Sequence, residues 1–103
     1  MNRALAALAD PTRRAFVQQL SRRARAAGEL RPPRTMSQPA VSQHLRVLRE
    51  AGLVRVERAG RRRIYHLEPA PLREVSAWIR TYEVFWNDRL DRLGAFLEEQ
   101  DGP

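Results

Sequence analysis

Residues Ser37 to Val54, SQPAVSQHLRVLREAGLV, constrain the fold more than any other stretch, because they read as one amphipathic helix running straight into a strand. Ser37 is a strong N-cap, and Pro39 lies within the first turn, where its missing N–H costs nothing. The spacing predicts a helix over residues 37–51. Val41, Leu45 and Leu48 recur at i, i+4 and i+7 and make one apolar stripe, while Pro39, Ser42, Gln43 and Arg46 fall on the opposite face. That outward face carries amide and hydroxyl donors beside an arginine, the side-chain set that reads base edges in a major groove. Gly52 supplies a left-handed stop, and Leu53-Val54-Arg55-Val56 switches to strand-like residues.

Leu53 to Arg58 and Arg62 to Leu67 read as two strands around Ala59-Gly60-Arg61, a wing over residues 53–67. Val54 and Val56 share one face, and Ile64 and His66 alternate against Tyr65 and Leu67, as a half-buried hairpin requires. Arg58, Arg61, Arg62 and Arg63 collect at the tip, where they can reach phosphates or a narrow minor groove.

Charge points to the same partner. All 19 basic residues are arginine, and residues 1–67 carry a balance of +11 while residues 68–103 carry −4. A pole of that sign attracts a polyanion, and arginine forks onto phosphate or onto the guanine edge. A preference for arginine codons accounts for the missing lysine but not for the asymmetry. The 103 residues make a single domain, near the size at which one core is only modestly stable, so a partner copy is plausible. No cysteine is present, which excludes disulfides and thiolate metal sites. No apolar run reaches the roughly 20 residues needed to span a bilayer, and MNRALAALADPTRR lacks the apolar core of a secretion signal. A soluble, cytoplasmic protein is expected.

Toward the N-terminus, Ala4, Leu5 and Leu8 give a short helix that Asp10-Pro11 ends, and Asp10 caps the next helix with Pro11 at its first position. That second helix turns Ala15, Phe16, Val17 and Leu20 inward and leaves Arg13, Arg14, Gln18 and Gln19 largely outside. Between Ala26 and Arg34, AAGELRPPR holds Pro32, which would break a helix interior at a cost of roughly 3 kcal/mol. A helix of one or two turns, or partly 3₁₀, is expected there, with Leu30 and Met36 packing beneath the 37–51 helix.

The segment SQPAVSQHLRVLREAGLV followed by AGRRRIYHL closely resembles the winged helix-turn-helix repressors of the bacterial arsenical-resistance repressor (ArsR) family. The resemblance extends upstream through ALADPTRRAFVQQL and downstream through WIRTYEVFWNDRLDRL, nearly the whole chain, and the last stretch is similar to a subgroup with a long aromatic final helix. It implies a mainly α fold with a small β-hairpin, dimeric through its first and last helices, with Leu5 and Leu8 in the interface. It also implies that His44 is the structural histidine of the family's SxHL motif. The family's metal sensors use cysteines beside the first helix of the helix-turn-helix, or His and carboxylate pairs on the last helix. Neither set is present: His44 and His66 are far apart, and Asp88 and Asp91 read as a solvated face.

From Pro71 to about Glu99 only Gly94 disfavours helix, so one helix over residues 71–99, roughly 43 Å long, is expected. Leu72, Ile79, Trp86 and Leu93 are spaced by seven, with Val75, Tyr82 and Phe96 adjoining and Trp78, Phe85, Leu90 and Leu97 widening the face. Such a face asks for a second chain. The same aromatics could line an inducer pocket, though a stripe at helical spacing reads first as core or interface.

No Cys/His or Ser/His/Asp arrangement and no glycine-rich phosphate loop occurs, so no enzyme, cofactor or metal is expected. The reading is a homodimeric, sequence-specific DNA-binding regulator, most simply a repressor, on a pseudo-palindromic operator. Gln38, Ser42, Gln43 and Arg46 are the candidates for base edges. Ser37, Arg13, Arg14 and the wing arginines are assigned mostly to phosphates, and Pro39 is counted with the DNA-binding face. A protein-interaction winged helix and a non-specific nucleic-acid-binding protein are the alternatives.

Overall fold

The computed structural model describes residues 1–100; Asp101, Gly102 and Pro103, which close the expected single domain, lie outside the described residues. Five helices and three strands follow in the order α1 (Asn2–Leu8), α2 (Pro11–Arg22), β1 (Arg25–Ala26), a 3₁₀ turn (Ala27–Glu29), α3 (Gln38–Glu50), β2 (Val54–Ala59), β3 (Arg62–Leu67), α4 (Pro69–Arg80) and α5 (Glu83–Gln100). No helix among the described residues is long and apolar enough to cross a membrane.

The core forms where α1, α2, α3 and the inner sheet face converge. Phe16, Leu45, Leu48 and Leu53 are fully buried, and Ala4, Ala7, Leu20, Leu30, Val41, Val54 and Val75 join them. Ala4 and Ala7, rather than Leu5 and Leu8, face this core from α1. The two leucines are half-buried against its edge, and the absence of bulk at the alanines lets α1 approach α3. Leu30 is buried and Met36 packs against the core, as expected from the sequence.

The Ala26–Arg34 segment does not form an α-helix. Leu30 N–H donates to Ala27 O at 3.1 Å, closing one 3₁₀ turn, and the chain is extended from Leu30 toward Pro32. Extended backbone before a proline pair follows from the steric clash that keeps such residues out of the helical region. Gln19 holds this stretch, its amide donating to Arg31 O at 2.7 Å while its oxygen accepts from Arg31 N–H at 2.9 Å. The same departure creates β1, which pairs antiparallel with β3 (Arg25 opposite Tyr65, Ala26 opposite Ile64) and makes the sheet three-stranded in the order β1-β3-β2.

The wing is the expected hairpin. Val54 faces Leu67 and Val56 faces Tyr65 on the inner side, and Ala59 faces Arg62 across the two-residue turn Gly60-Arg61. Gly60 has φ +64°, the positive value that a II′ turn requires at its first central position. Gly52, at φ +75°, ends α3 as expected.

The C-terminal region departs from the expected single helix. The helix starts two residues earlier, at Pro69, and divides at Thr81-Tyr82 into α4 and α5. Thr81 N–H and Tyr82 N–H donate to Trp78 O and Ile79 O in i→i+3 fashion, and the Thr81 hydroxyl also donates to Trp78 O at 2.7 Å. A hydroxyl competing for a helix carbonyl is a local breaker that apolar periodicity does not reveal. Val75, expected in a dimer interface, is instead buried in its own chain's core, and Leu72 packs against that core. Beyond Val75 no described side chain is buried, so α5 projects from the body.

Phe16→Ala should destabilise the fold by about 3–5 kcal/mol, through lost transfer energy and the cavity left beneath α3. Urea unfolding followed by circular dichroism measures this directly.

Candidate nucleic-acid interface

The inner stripe of α3 determines where its outer face points. Val41, Leu45 and Leu48 are buried, so Gln38, Pro39, Ser42, Gln43 and Arg46 are all exposed on the opposite side. The side chains of Gln38, Ser42, Gln43 and Arg46 make no hydrogen bond or ion pair within the described residues, and their donors and acceptors face outward unused. Ser37 caps α3, its Oγ accepting from Ala40 N–H at 3.3 Å, and its own hydroxyl proton stays available.

A polar joint orients α3 on α2. Asp10 caps α2 by accepting from Arg13 N–H at 3.0 Å, and His44 of α3 places Nδ1 3.7 Å from the same Asp10 carboxylate and 3.3 Å from an Arg13 guanidinium nitrogen. The His44 ring also meets Phe16 edge-on, with centroids 6.4 Å apart. His44 therefore acts structurally, as the resemblance implied. The Arg13 N–H donor, with His44 and the Arg13 charge in support, holds the Asp10 carboxyl below its ordinary range.

Arg13 and Arg14, assigned to phosphates from the sequence, both hydrogen-bond to carbonyls of α1, and Arg14 remains exposed. Arg13 Nε donates to Ala7 O at 2.6 Å and its other guanidinium nitrogen to Ala6 O, while Arg14 donates to Leu8 O at 2.8 Å. Both close C-terminal carbonyls of α1, which the ladder of an α-helix leaves without donors. Arg25 does the same for α2, donating to Gln19 O at 2.9 Å. Sequence pattern cannot separate a basic residue that caps a neighbouring helix from one that faces solvent.

On the wing, Arg58, Arg61 and Arg63 are exposed and unpaired among the described residues. Arg62 differs, since it donates to Glu29 Oε1 at 2.8 Å across the sheet. Glu29 was not singled out in the sequence, although its spacing three residues after Ala26 is that of a capping residue, and its Oε1 accepts from Ala26 N–H at 2.9 Å. On the outer face of the hairpin Arg55 bridges Glu57 and Glu68, and His66 Nε2 approaches Glu57 to 2.9 Å without hydrogen-bond alignment. No three His, Asp or Glu side chains come together as metal ligands among the described residues.

Comparison with known proteins follows this geometry. A family model described as a helix-turn-helix domain matches residues 8–57, which span α2, the 3₁₀ turn, α3 and the first wing strand. The HTH-type transcriptional regulator Rv2034 of Mycobacterium tuberculosis is 43% identical over 100 residues, covering 96% of this chain and 90% of that protein. The crystal structure of the ArsR family transcriptional regulator RHA00566 superposes with a TM-score of 0.74 at 36% identity, covering 84% of this chain and 94% of that one. The chain belongs to the ArsR family. Another relative, the transcriptional repressor SdpR of Bacillus subtilis, is 29% identical over 82 residues, covering 80% of this chain and 91% of the repressor. Between α2 and α3 this chain has one 3₁₀ turn, braced by Gln19 and Glu29.

Asp10→Ala should cost about 0.5–2 kcal/mol at neutral pH, the usual penalty for losing an N-cap. Because folding lowers the Asp10 pKa, its contribution is complete above the ordinary carboxylate value near 4 and disappears as pH falls through the lower folded value. The stability gap between wild type and variant, from urea titrations at pH 7 and pH 3, should therefore narrow in acid.

Proposed function

We propose that the protein is a homodimeric transcriptional repressor that reads a pseudo-palindromic DNA operator with α3 and steadies itself on the backbone with its wing. The observation that carries this reading is the outer face of α3, where Gln38, Ser42, Gln43 and Arg46 stand exposed and unpartnered while the opposite face is locked into the core. Glutamine pairs with adenine and arginine with guanine in the major groove, so this face has the chemistry to discriminate bases. Pro39, the Ser37 hydroxyl and Arg58, Arg61 and Arg63 lie at the periphery and suit backbone contacts. Transcriptional repression also matches the name of the relative SdpR.

Dimerisation is supported by what the chain leaves uncovered. Trp78, Ile79, Tyr82, Phe85, Trp86, Leu90, Leu93 and Phe96 are all exposed, with Leu90 at 65%. A contiguous apolar face of this extent is characteristic of an interaction surface. A two-fold dimer through α4 and α5, with the outer edges of Leu5 and Leu8 alongside, would set two copies of α3 into successive major grooves about 34 Å apart. The sequence has no cysteine and its two histidines lie on separate elements, so the chain fits the members of the family that do not sense metal. Binding chromosomal DNA would place it in the cytoplasm, and no catalytic role is assigned.

Selection of bound sequences from a random duplex pool at near-physiological salt should enrich an inverted repeat with half-sites about one helical turn apart; enrichment of no sequence would overturn the reading. Within that site Arg46→Ala should cost about 1–3 kcal/mol and relax preference at one position, whereas Arg61→Ala should weaken all sequences alike and reduce the salt slope by about one. In sedimentation equilibrium, wild type should run as a dimer and Leu90→Arg as a monomer with reduced operator affinity.

A further inference from the structure

Glu29 is the sole acidic residue between Asp10 and Glu50, within a stretch that carries nine arginines from Arg13 to Arg49. It sits at the meeting point of three elements. Its Oε1 accepts from Ala26 N–H at 2.9 Å and from Arg62 of the wing at 2.8 Å, and its Oε2 accepts from Arg23 at 3.3 Å. The Ala26 N–H, helped by the two guanidinium groups, holds this carboxyl below its ordinary range, so it stays charged wherever the protein is folded and functional. Arg62 is nevertheless 62% exposed, open to a competing anion, while its neighbours Arg58, Arg61 and Arg63 pair with no acid among the described residues.

We propose that Glu29 is an intramolecular counter-ion for the wing, which lowers the protein's affinity for DNA of any sequence. This rests on the DNA-binding reading above. A phosphate gains from an arginine partly by releasing condensed cations, and an arginine already neutralised by a carboxylate must first give up that partner. The loss falls on backbone contacts, which carry no sequence information, and not on the base-reading face of α3. Arg62, assigned from sequence to the backbone contacts together with Arg58, Arg61 and Arg63, therefore contributes least among the four in the wild type.

The test is fluorescence anisotropy with a short random-sequence duplex between about 50 and 200 mM salt, the range in which phosphate contacts separate clearly. Wild type, Glu29→Gln, Arg62→Ala, Arg61→Ala and the Glu29→Gln/Arg62→Ala pair are compared. Gln keeps an acceptor for Ala26 N–H and removes only the charge. Glu29→Gln should bind the random duplex several-fold more tightly, with a salt slope steeper by about 0.9, the increment for one added phosphate contact. Arg62→Ala should change little alone but abolish the gain in the double variant, and Arg61→Ala should flatten the slope in the wild-type background. Equal or weaker binding by Glu29→Gln, or equal slope losses for Arg62→Ala and Arg61→Ala, would overturn the role of Glu29. Wild type showing no salt-dependent binding to any duplex would overturn the DNA-binding reading itself.

Discussion

The packing of α3 through Val41, Leu45 and Leu48 against Phe16 and Leu53 is the contact on which the rest of the molecule depends. Each large apolar side chain buried there stabilises the fold by about 1.5–3 kcal/mol, and together they fix the rotation of the helix about its axis. Rotation decides function here, because a turn of the helix by one residue would carry Ser42 or Arg46 toward the core and an apolar side chain into solvent. The polar joint of Asp10, Arg13 and His44 adds a directional constraint to this non-directional one. Packing locates α3, and the joint fixes its tilt against α2.

Arginine serves three purposes in this chain, distinguished by what lies within reach. Arg13, Arg14 and Arg25 close helix carbonyls, Arg23 and Arg62 gather around Glu29, and Arg46, Arg58, Arg61 and Arg63 remain open to solvent. Caps and intramolecular pairs thus occupy guanidinium donors of the N-terminal two-thirds without changing its net charge, and salt screens the exposed groups from acting much beyond their own neighbourhood.

The break at Thr81-Tyr82 separates two regimes of packing. α4 gives Val75 and Leu72 to its own chain's core, whereas α5 gives it no described side chain and holds its aromatic and leucine residues in the open. A domain of this size has too little interior to cover a second long helix. Seven-residue spacing ran across both regimes, which is why Leu72 and Val75 read from sequence as interface alongside Trp86 and Leu93. Periodicity identifies the apolar side of a helix and is silent about whether the same chain or another covers it.

The capped amphipathic helix at residues 38–50, the Asp10-Pro11 junction, the Gly52 stop and the hairpin around Gly60 were legible in the sequence, because each rests on interactions among residues a few positions apart. The outward set Gln38, Ser42, Gln43 and Arg46 followed from the same local period. Tertiary structure alone decided the rest: that Arg25-Ala26 forms a third strand on Tyr65 and Ile64, that Gln19 grips Arg31, that Arg13 turns onto α1, and that Glu29 holds Arg62. These contacts join residues as far apart in sequence as Arg25 and Tyr65, through atoms whose distance no one-dimensional spacing encodes. Local chemistry wrote the elements, and only the three-dimensional meeting of those elements settled which arginines remain free.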